Sequence, residues 1–285
     1  MTDAQPPVSR RARRRPLAAL LVERGIFTTQ DEARRWIMAG QVLVDGRRVD
    51  KPGTPVPCDA ALRVRGRHRY VSRGGYKLEA ALDHFGVSVA GRVALDCGAA
   101  AGGFTDCLLQ RGAALVYAVE VGFGQLAGRL RLDPRVRNLE RTNLGAIAPG
   151  TLDPPPVLVT LDLSYLSLRA AVPCAAALLA PPPGDVLALL KPLFEVEDPA
   201  AGRSGRVCDP ALLVAALQRV LAAGTAAGLA NLGAARLALR PRHGTGEFFV
   251  HFGRDAGRPP WDYDSAALAQ IVAGPGIGPT EVEDS

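Results

Sequence analysis

An apolar strand that runs directly into a loop of small residues limits most strongly how this chain can fold. Residues 93–97 (VALDC) precede the loop 98–103 (GAAAGG), and apolar residues continue at helical spacing from Phe104. A second apolar run ends in Glu120, 24 residues after Asp96. This order predicts one β-loop-α-β unit of the nucleotide-binding kind, in which a ligand lies against bare backbone. The alternative is an α/β core with a tight turn and no ligand.

The loop lacks the full dinucleotide fingerprint, because alanines stand where a pyrophosphate site would need a second glycine. A cofactor without a pyrophosphate fits better, and S-adenosylmethionine is the candidate. We expect Asp96 and the loop to face its amino-acid portion, and Glu120 to accept hydrogen bonds from its ribose hydroxyls. The candidate cofactor residues are Asp96, Gly98, Ala99, Gly102, Gly103, Phe104, Glu120 and Val121.

Composition agrees with an enzyme that carries a small additional module. The 285 residues are 48% hydrophobic and 22% charged, which excludes a largely disordered chain. The N-terminus is polar and Arg-rich, unlike a signal peptide, and no apolar run approaches the ~18 residues of a membrane span. Five scattered cysteines form no C-x-x-C pair, which argues for the reducing cytoplasm and against a zinc site or a disulfide frame.

Charge is distributed unevenly along the chain. The first 75 residues hold 16 basic and 7 acidic side chains, whereas the rest hold 18 and 21, so the net charge of +6 resides in the first quarter. A basic module joined to a near-neutral core is typical of enzymes that bind polyanions, because phosphate contacts supply affinity. A solvated basic face without a partner is the alternative.

Residues 15–60 predict a compact helical fold with a hairpin. Leu17, Leu20 and Leu21 lie at helical spacing, and residues 28–32 (TTQDE) offer a second helix start. Asp45-Gly46 is a turn signal between two short strands.

This region resembles the S4 RNA-binding domain, notably in residues 20–25 (LLVERG) and 40–46 (GQVLVDG). The resemblance implies that two helices and the hairpin present a basic surface to structured RNA. The implied RNA contacts are Arg24, Arg34, Arg35, Arg47, Arg48 and Lys51, with Arg73 added from the following segment. The Arg-rich residues 10–15 predict a disordered arm that adds phosphate affinity.

The rest of the chain alternates as expected for a doubly wound α/β sheet of the Rossmann-like kind. Further strands are predicted at residues 136–139, 157–161, 186–190, 236–240 and 247–252, the last two as a hairpin at the sheet edge. The predicted organisation is a disordered arm (1–14), an S4-like domain (15–62), a linker that begins as a strand and ends as a flexible joint (63–75), a catalytic domain (76–254) and a poorly ordered tail (255–285).

Four ionisable residues fall at matching places of this sheet. Lys77 opens a helix, where the helix dipole disfavours a cation and a functional reason is therefore expected. Asp162 and Lys191 each follow a strand directly, and Glu247 begins the last strand. Ligands of open α/β sheets bind outside the carboxyl ends of the strands. Each residue alone could be a solvated strand-end charge, but two acids and two lysines beside a cofactor loop predict a catalytic group.

The order Lys-Asp-Lys-Glu resembles that of the FtsJ-like RNA 2′-O-methyltransferases. With the S4-like domain in front, the chain resembles the TlyA family of ribosomal RNA methyltransferases, also named haemolysin A. The segments that carry the resemblance are residues 71–79 (VSRGGYKLE), 102–109 (GGFTDCLL), 117–122 (YAVEVG) and 190–195 (LKPLFE). It implies transfer of a methyl group from S-adenosylmethionine to a ribose 2′-hydroxyl, with cytidines of 16S or 23S rRNA as targets and ribosomal RNA or ribosomal subunits as partners.

Within this resemblance Lys191 is assigned as the general base. Lys77 is the nearby cation that favours its neutral amine, and Asp162 and Glu247 orient the two lysines. The sulfonium of the methyl donor carries its own positive charge, so no metal is required. The chain departs from the family at Ala100-Ala101, where Ser-Thr is usual, at Glu120, where Asp is usual, and in a shorter segment before Glu247.

Two other classes of function stay open. An RNA-binding ribosome-assembly factor with an impaired methyltransferase core would keep the S4-like domain and lose the reaction. A membrane-active haemolysin would need a spanning segment or a strongly amphipathic exposed helix, and the sequence shows neither clearly.

Overall fold

The computed structural model describes residues 13–27, 29–66, 68–239, 245–254 and 259–280, which form two compact units that divide between His68 and Arg69. In the N-terminal unit the elements are β1 (Arg14–Pro16), α1 (Leu17–Glu23), α2 (Gln30–Met38), β2 (Val42–Val44), β3 (Arg47–Arg48), β4 (Pro55–Pro57) and β5 (Leu62–Val64). β1 pairs with β4, and β2 lies between β3 and β5.

The N-terminal unit forms where its sequence predicts it. The side chain of Thr29 accepts a hydrogen bond from the Glu32 N–H and so begins α2. Asp45 and Gly46 have φ values of 49° and 78°, as a two-residue hairpin turn requires, and they join β2 to β3. Leu17, Leu20 and Leu21 lie in its buried core, as expected. Residues 1–12 of the predicted arm lie outside the described residues, while Arg14 belongs to β1.

The segment 63–75, which was predicted to begin as a strand and to end as a flexible joint, divides between the two units. Its first part is β5, which pairs with β2 and so belongs to the N-terminal unit. Its second part belongs to the larger unit: Tyr70 is buried against the Tyr76 ring, and the Val71 N–H donates to Asp106 Oδ2 at 2.9 Å. The sequence pattern missed this because a short Gly-rich segment is typical of a joint, whereas here packing of Tyr70 fixes it.

The larger unit is a seven-stranded sheet with helices on both faces. Its elements are α3 (Gly74–Phe85), β6 (Val93–Cys97), α4 (Gly103–Gln110), β7 (Leu115–Glu120), α5 (Gly128–Arg131), β8 (Val136–Glu140), β9 (Leu158–Leu161), α6 (Leu168–Leu178), β10 (Gly184–Leu190), α7 (Pro199–Ser204), α8 (Pro210–Ala226), β11 (Ala230–Arg236), β12 (Phe248–Arg254) and α9 (Ser265–Ala273). One core layer packs α3, α4 and α5 on the sheet, and the other packs α6, α8 and α9.

The strand order is β11-β12-β10-β9-β6-β7-β8. The five strands from β10 to β8 are parallel, and β12 is antiparallel to both of its neighbours. The order reverses between β6 and β9, which is the position at which doubly wound sheets form their ligand crevice. The predicted Rossmann-like fold class is confirmed.

The structure corrects two predictions near the C-terminus. The strand predicted at residues 236–240 is β11, which ends at Arg236. Its alanines and glycine have low β-propensity, and pairing with β12 overrides that preference. The tail predicted as poorly ordered contains α9, whose Leu268 and Val272 are buried in the core. Residues 255–258 and 281–285 lie outside the described residues.

A membrane span was not expected, and within the described parts of the chain every helix is too short or too polar to cross a bilayer. Cys97 and Cys107, on either side of the loop, are buried, and burial raises the pKa of the Cys107 thiol to about 12.

Candidate active site

Two lysine–carboxylate pairs mark the candidate active site. Lys191 Nζ lies 2.6 Å from Asp162 Oδ1, and Lys77 Nζ lies 2.6 Å from Glu247 Oε2. The Lys191 and Asp162 side chains are 19% and 21% exposed, whereas Lys77 and Glu247 are 15% and 9% exposed. The structure therefore forms two distinct pairs out of the four residues that the sequence singled out.

Strand register explains why these residues meet. Asp162 and Lys191 directly follow the parallel strands β9 and β10, which are neighbours. Glu247 directly precedes the antiparallel strand β12, in which Phe248 lies opposite Leu190. Glu247 and Lys191 therefore stand side by side at the carboxyl edge of the parallel strands, and α3 contributes Lys77.

Ser164 is a further polar partner of this group that was not predicted from the sequence. Lys191 Nζ also donates a hydrogen bond to Ser164 Oγ at 2.9 Å. Ser164 is exposed and follows Asp162 by two residues, so its place after a strand was the signal that could have found it. A lysine amine held by a carboxylate and a hydroxyl, and still open to solvent, can exchange a proton with a bound hydroxyl group.

The loop between β6 and α4 fits a ligand that approaches the backbone closely. Gly98 has a φ of 88°, and a Cβ there would stand 2.2 Å from the carbonyl oxygen of Asp162. Only glycine can bring β6 and the loop after β9 this close. Ala100 is exposed, with a φ of 45°, and Ala101 is half-buried. The part of the loop open to a ligand is therefore centred on Gly98, Ala100 and Ala101.

Several predicted cofactor residues are instead part of the core. Phe104 is buried and stacks on Phe249, with ring centroids 6.0 Å apart. Ala99 and Gly103 are buried, and a Cβ at Gly102 would collide with Leu130. The Phe104 side chain thus faces the core, which helical spacing alone could not distinguish from a ligand face, and the assignment of Phe104 to the cofactor site stays a prediction.

Glu120 connects β7 to the loop. Its Oε2 accepts a hydrogen bond from the Ala100 N–H at 2.9 Å, and its Oε1 accepts one from the Gly122 N–H at 2.8 Å. The carboxylate is half-buried and Val121 beside it is 41% exposed. Glu120 thus reaches back over the loop, and its contact with ribose hydroxyls stays a prediction.

Asp96 is fully buried at the end of β6. Its carboxyl accepts hydrogen bonds from Thr105 Oγ1 at 2.6 Å and Thr160 Oγ1 at 3.1 Å. Burial raises the pKa of Asp96 to about 7, against the opposing effect of these hydrogen bonds. The side chain that we expected to face a cofactor therefore links α4 and β9 beside the loop, and its contact with a cofactor stays a prediction.

The predicted RNA contacts fall into three groups. Arg35, Arg47, Arg48 and Lys51 are exposed on the N-terminal unit, and Arg34 is exposed in an ion pair with Asp31. The Arg24 guanidinium donates to the carbonyl oxygens of Ala60 and Cys58, so it stabilises the turn after β4. Arg73 lies in the larger unit, half-buried just before α3.

No metal site accompanies this group in the part of the chain that the structure describes. There, no three or more His, Cys, Asp or Glu side chains are arranged to hold an ion.

Comparison with known proteins supplies the family. Residues 70–254 match the model of FtsJ-like methyltransferases, and residues 15–57 match the S4 domain. YqxC of Bacillus subtilis, named as a candidate rRNA methyltransferase, is 43% identical over 82% of this chain and 84% of its own length. The 16S/23S rRNA (cytidine-2′-O)-methyltransferase TlyA of Mycobacterium tuberculosis is 41% identical over 84% of this chain and 90% of its own length.

A solved structure supports the same assignment. A Streptococcus thermophilus protein described as a candidate hemolysin is 36% identical, with a TM-score of 0.67, over 92% of this chain and 95% of its own. An S4 domain and an FtsJ-like domain thus follow one another in the chain, as the sequence motifs indicated. The protein belongs to the FtsJ-like methyltransferase family, in the branch with an N-terminal S4 domain that includes TlyA.

Proposed function

We propose that this protein transfers a methyl group from S-adenosylmethionine to a ribose 2′-hydroxyl of ribosomal RNA, at a cytidine of 16S rRNA, 23S rRNA or both. The observation that carries the proposal is the pair formed by Lys191 and Asp162 beside the glycine loop, at the edge where β9 and β10 end. The cytidine and the rRNA come from the name of the relative TlyA.

The residues around the loop suit this cofactor. The backbone at Gly98, Ala100 and Ala101 would receive its amino-acid portion, and Glu120 would accept hydrogen bonds from its ribose. S-adenosylmethionine supplies an activated methyl group when bound. The protein has to hold the attacking hydroxyl in line with that group and remove its proton.

Lys191 is the proposed base. In the proposed step Lys191 Nζ gives one proton to Asp162 and accepts the proton of the 2′-hydroxyl, while Ser164 holds Nζ in place. Asp162 is in contact with Nζ and about one fifth exposed, so it can pass the proton on to solvent. Lys77 and Glu247 form the wall of the site next to Lys191.

Mapping of 2′-O-methyl groups tests the proposal. Ribosomal RNA and subunits that lack the modification are incubated with S-adenosylmethionine and either the wild-type protein or the variant Lys191→Ala. We expect a new 2′-O-methyl cytidine with the wild type only. Binding of RNA and cofactor without methyl incorporation would instead favour the assembly factor without a reaction.

The S4 domain is the proposed RNA anchor. In the intact chain, Arg35→Gln with Arg47→Gln should make the salt dependence of RNA binding shallower by about 0.7–0.9 log units per decade of salt for each phosphate that is no longer neutralised. A matched double variant of the exposed Arg203 and Arg206 should keep the wild-type slope. Equal slopes for both double variants would place the anchor elsewhere.

A further inference from the structure

We propose that Glu195 is a positioning residue for the Lys191–Asp162 pair. Its carboxylate ties the loop after β10 (residues 191–195) to the loop after β9 (residues 162–167), and so sets where the Lys191 amine stands. The inference rests on the proposed methyl transfer, because it gives Glu195 a role in that reaction. Glu195 ends the sequence motif LKPLFE, of which the reaction uses Lys191.

The side chain of Glu195 is held at the start of α6. Oε1 accepts a hydrogen bond from the Leu168 N–H at 2.6 Å, and Oε2 accepts one from Ser167 Oγ at 3.1 Å. Ser167 is the N-cap of this helix and Leu168 is its first residue. The carboxylate is 1% exposed, and the positive end of the helix dipole favours its charge.

The same two loops meet again at the reaction centre. Lys191 Nζ contacts Asp162 Oδ1 and donates to Ser164 Oγ, both in the loop after β9. Lys191 and Glu195 therefore bridge to one partner loop from the two ends of a five-residue segment. Two attachments fix both the position and the orientation of that segment, whereas one would leave it free to pivot.

The segment between the two attachments is stiff. It begins with Pro192, whose ring fixes φ, and forms a single turn over Pro192–Phe194. From α8, Arg219 donates a hydrogen bond to the Glu195 carbonyl oxygen at 2.8 Å. A displacement at Glu195 is therefore transmitted to Lys191, and a shift of about 1 Å at a reacting group can lower a rate on the order of 100-fold.

Burial makes this carboxylate costly to place. It raises the pKa of Glu195 above its ordinary value, while the hydrogen bonds from Leu168 and Ser167 oppose the shift. A Gln of almost the same volume avoids that cost and can keep the Leu168 hydrogen bond with its carbonyl oxygen, but it offers Ser167 an amide NH2 in place of a charged acceptor. It also removes the charge that faces Arg169 Nε, 3.7 Å away. Glu195→Gln is thus a substitution that preserves packing and weakens the connection between the loops.

Steady-state and binding measurements on the intact protein test the inference. We expect Glu195→Gln to lower kcat for rRNA methylation by about 10- to 100-fold, with the KM for RNA and the cofactor affinity within twofold of wild type. The matched control is Glu197→Gln, two residues further on, whose side chain is 88% exposed. It should keep the wild-type kcat. Thermal unfolding of each variant shows that the fraction folded is unchanged.

A second substitution separates positioning from a purely structural role. If Glu195 places Lys191 against Ser164, the effect of Ser164→Ala disappears in the Glu195→Gln background, because the Lys191–Ser164 hydrogen bond is already broken there. If Glu195→Gln only damaged the structure, the two substitutions would act independently, and their fold-losses in kcat would multiply in the double variant. If Glu195→Gln fails to fold, Glu195→Asp is measured in the same way. This variant keeps the charge, but its shorter side chain moves the carboxylate oxygens away from Leu168 and Ser167.

The outcomes are distinct. A wild-type protein that binds rRNA and cofactor without methylating overturns the proposed function itself. If the wild type is active, two results overturn the positioning role of Glu195 and leave the proposed function standing. One is a kcat of Glu195→Gln within twofold of wild type, and the other is a multiplicative loss of kcat when Ser164→Ala is added.

Discussion

The two lysine–carboxylate pairs at the catalytic edge share an N···O distance of 2.6 Å but differ in how they are built. Lys191 and Asp162 follow two neighbouring parallel strands and stay about one fifth exposed. Lys77 comes from a helix and Glu247 from the start of an antiparallel strand, and Glu247 is 9% exposed. Equal distances thus join an accessible pair, which can meet a substrate, and a more enclosed pair, which supports the wall of the site.

The largest expected effect would confirm or break this division. Lys191→Ala should lower the methylation rate by about 10²–10⁴-fold, the range for loss of a general base. The cofactor affinity, measured by calorimetry, should be nearly unchanged, because the proposed role of Lys191 is toward the hydroxyl and not toward the cofactor. A rate above about one tenth of wild type would transfer the base role to the other pair.

Lys77→Ala should act on stability more than Lys191→Ala does. Removal of Lys77 leaves the Glu247 carboxylate enclosed without its partner, and we expect a loss of about 2–3 kcal/mol in the free energy of unfolding, below the 3–5 kcal/mol of a fully buried pair. Lys191→Ala should cost less, about 1–2 kcal/mol, because the Asp162 carboxylate that it leaves unpaired is about one fifth exposed and can be partly solvated. Urea unfolding of both variants measures the difference. Equal losses would contradict the distinction between the pairs.

A variant outside both pairs should change binding alone. Glu120→Ala removes an acceptor of charged hydrogen bonds and should weaken S-adenosylmethionine binding by roughly 1.5–3 kcal/mol, measured by calorimetry. Glu120→Asp, which restores the acid usual in the family, is the matched control and should retain most of the affinity. Unchanged binding by Glu120→Ala would place the cofactor ribose elsewhere.

The smallest expected effect concerns Ser164. Ser164→Ala removes one neutral hydroxyl from the Lys191 amine, an interaction worth about 0.5–1.5 kcal/mol, so kcat should fall about two- to tenfold. The matched control is Ser204→Ala, since Ser204 bonds backbone oxygens within its own helix. A loss as large as that of Lys191→Ala would show that Ser164 itself takes part in the proton transfer.

Much of this site could be predicted from the sequence because strand ends are easy to recognise. Asp162, Lys191 and Glu247 each adjoin an apolar run, and the carboxyl edge of a parallel sheet collects such residues. Which lysine pairs with which acid could not be predicted, since it depends on the antiparallel register that sets Phe248 against Leu190. The order of residues along the chain contains no information about that register.

The differences between sequence pattern and structure have a common physical origin. Phe104 and Asp96 flank the loop and were predicted to bind the cofactor, and in the structure both are buried by packing from elements distant in sequence. Tyr70 fixes a segment that its glycines mark as flexible, and Leu268 anchors a helix in the predicted tail. Local patterns report spacing and turn chemistry, whereas burial is decided by tertiary contacts.

The buried carboxyl of Asp96 makes folding of this domain a proton-binding event. In the unfolded chain an aspartate ionises near pH 4, whereas the folded protein holds this proton up to a pKa of about 7. Between these values the folded state binds more protons than the unfolded state, so this carboxyl makes stability fall as pH rises from about 4 to 7 and adds no further change above. Burial of Asp96 thus keeps in the core a proton that water would take away, although the hydrogen bonds from Thr105 and Thr160 favour its release.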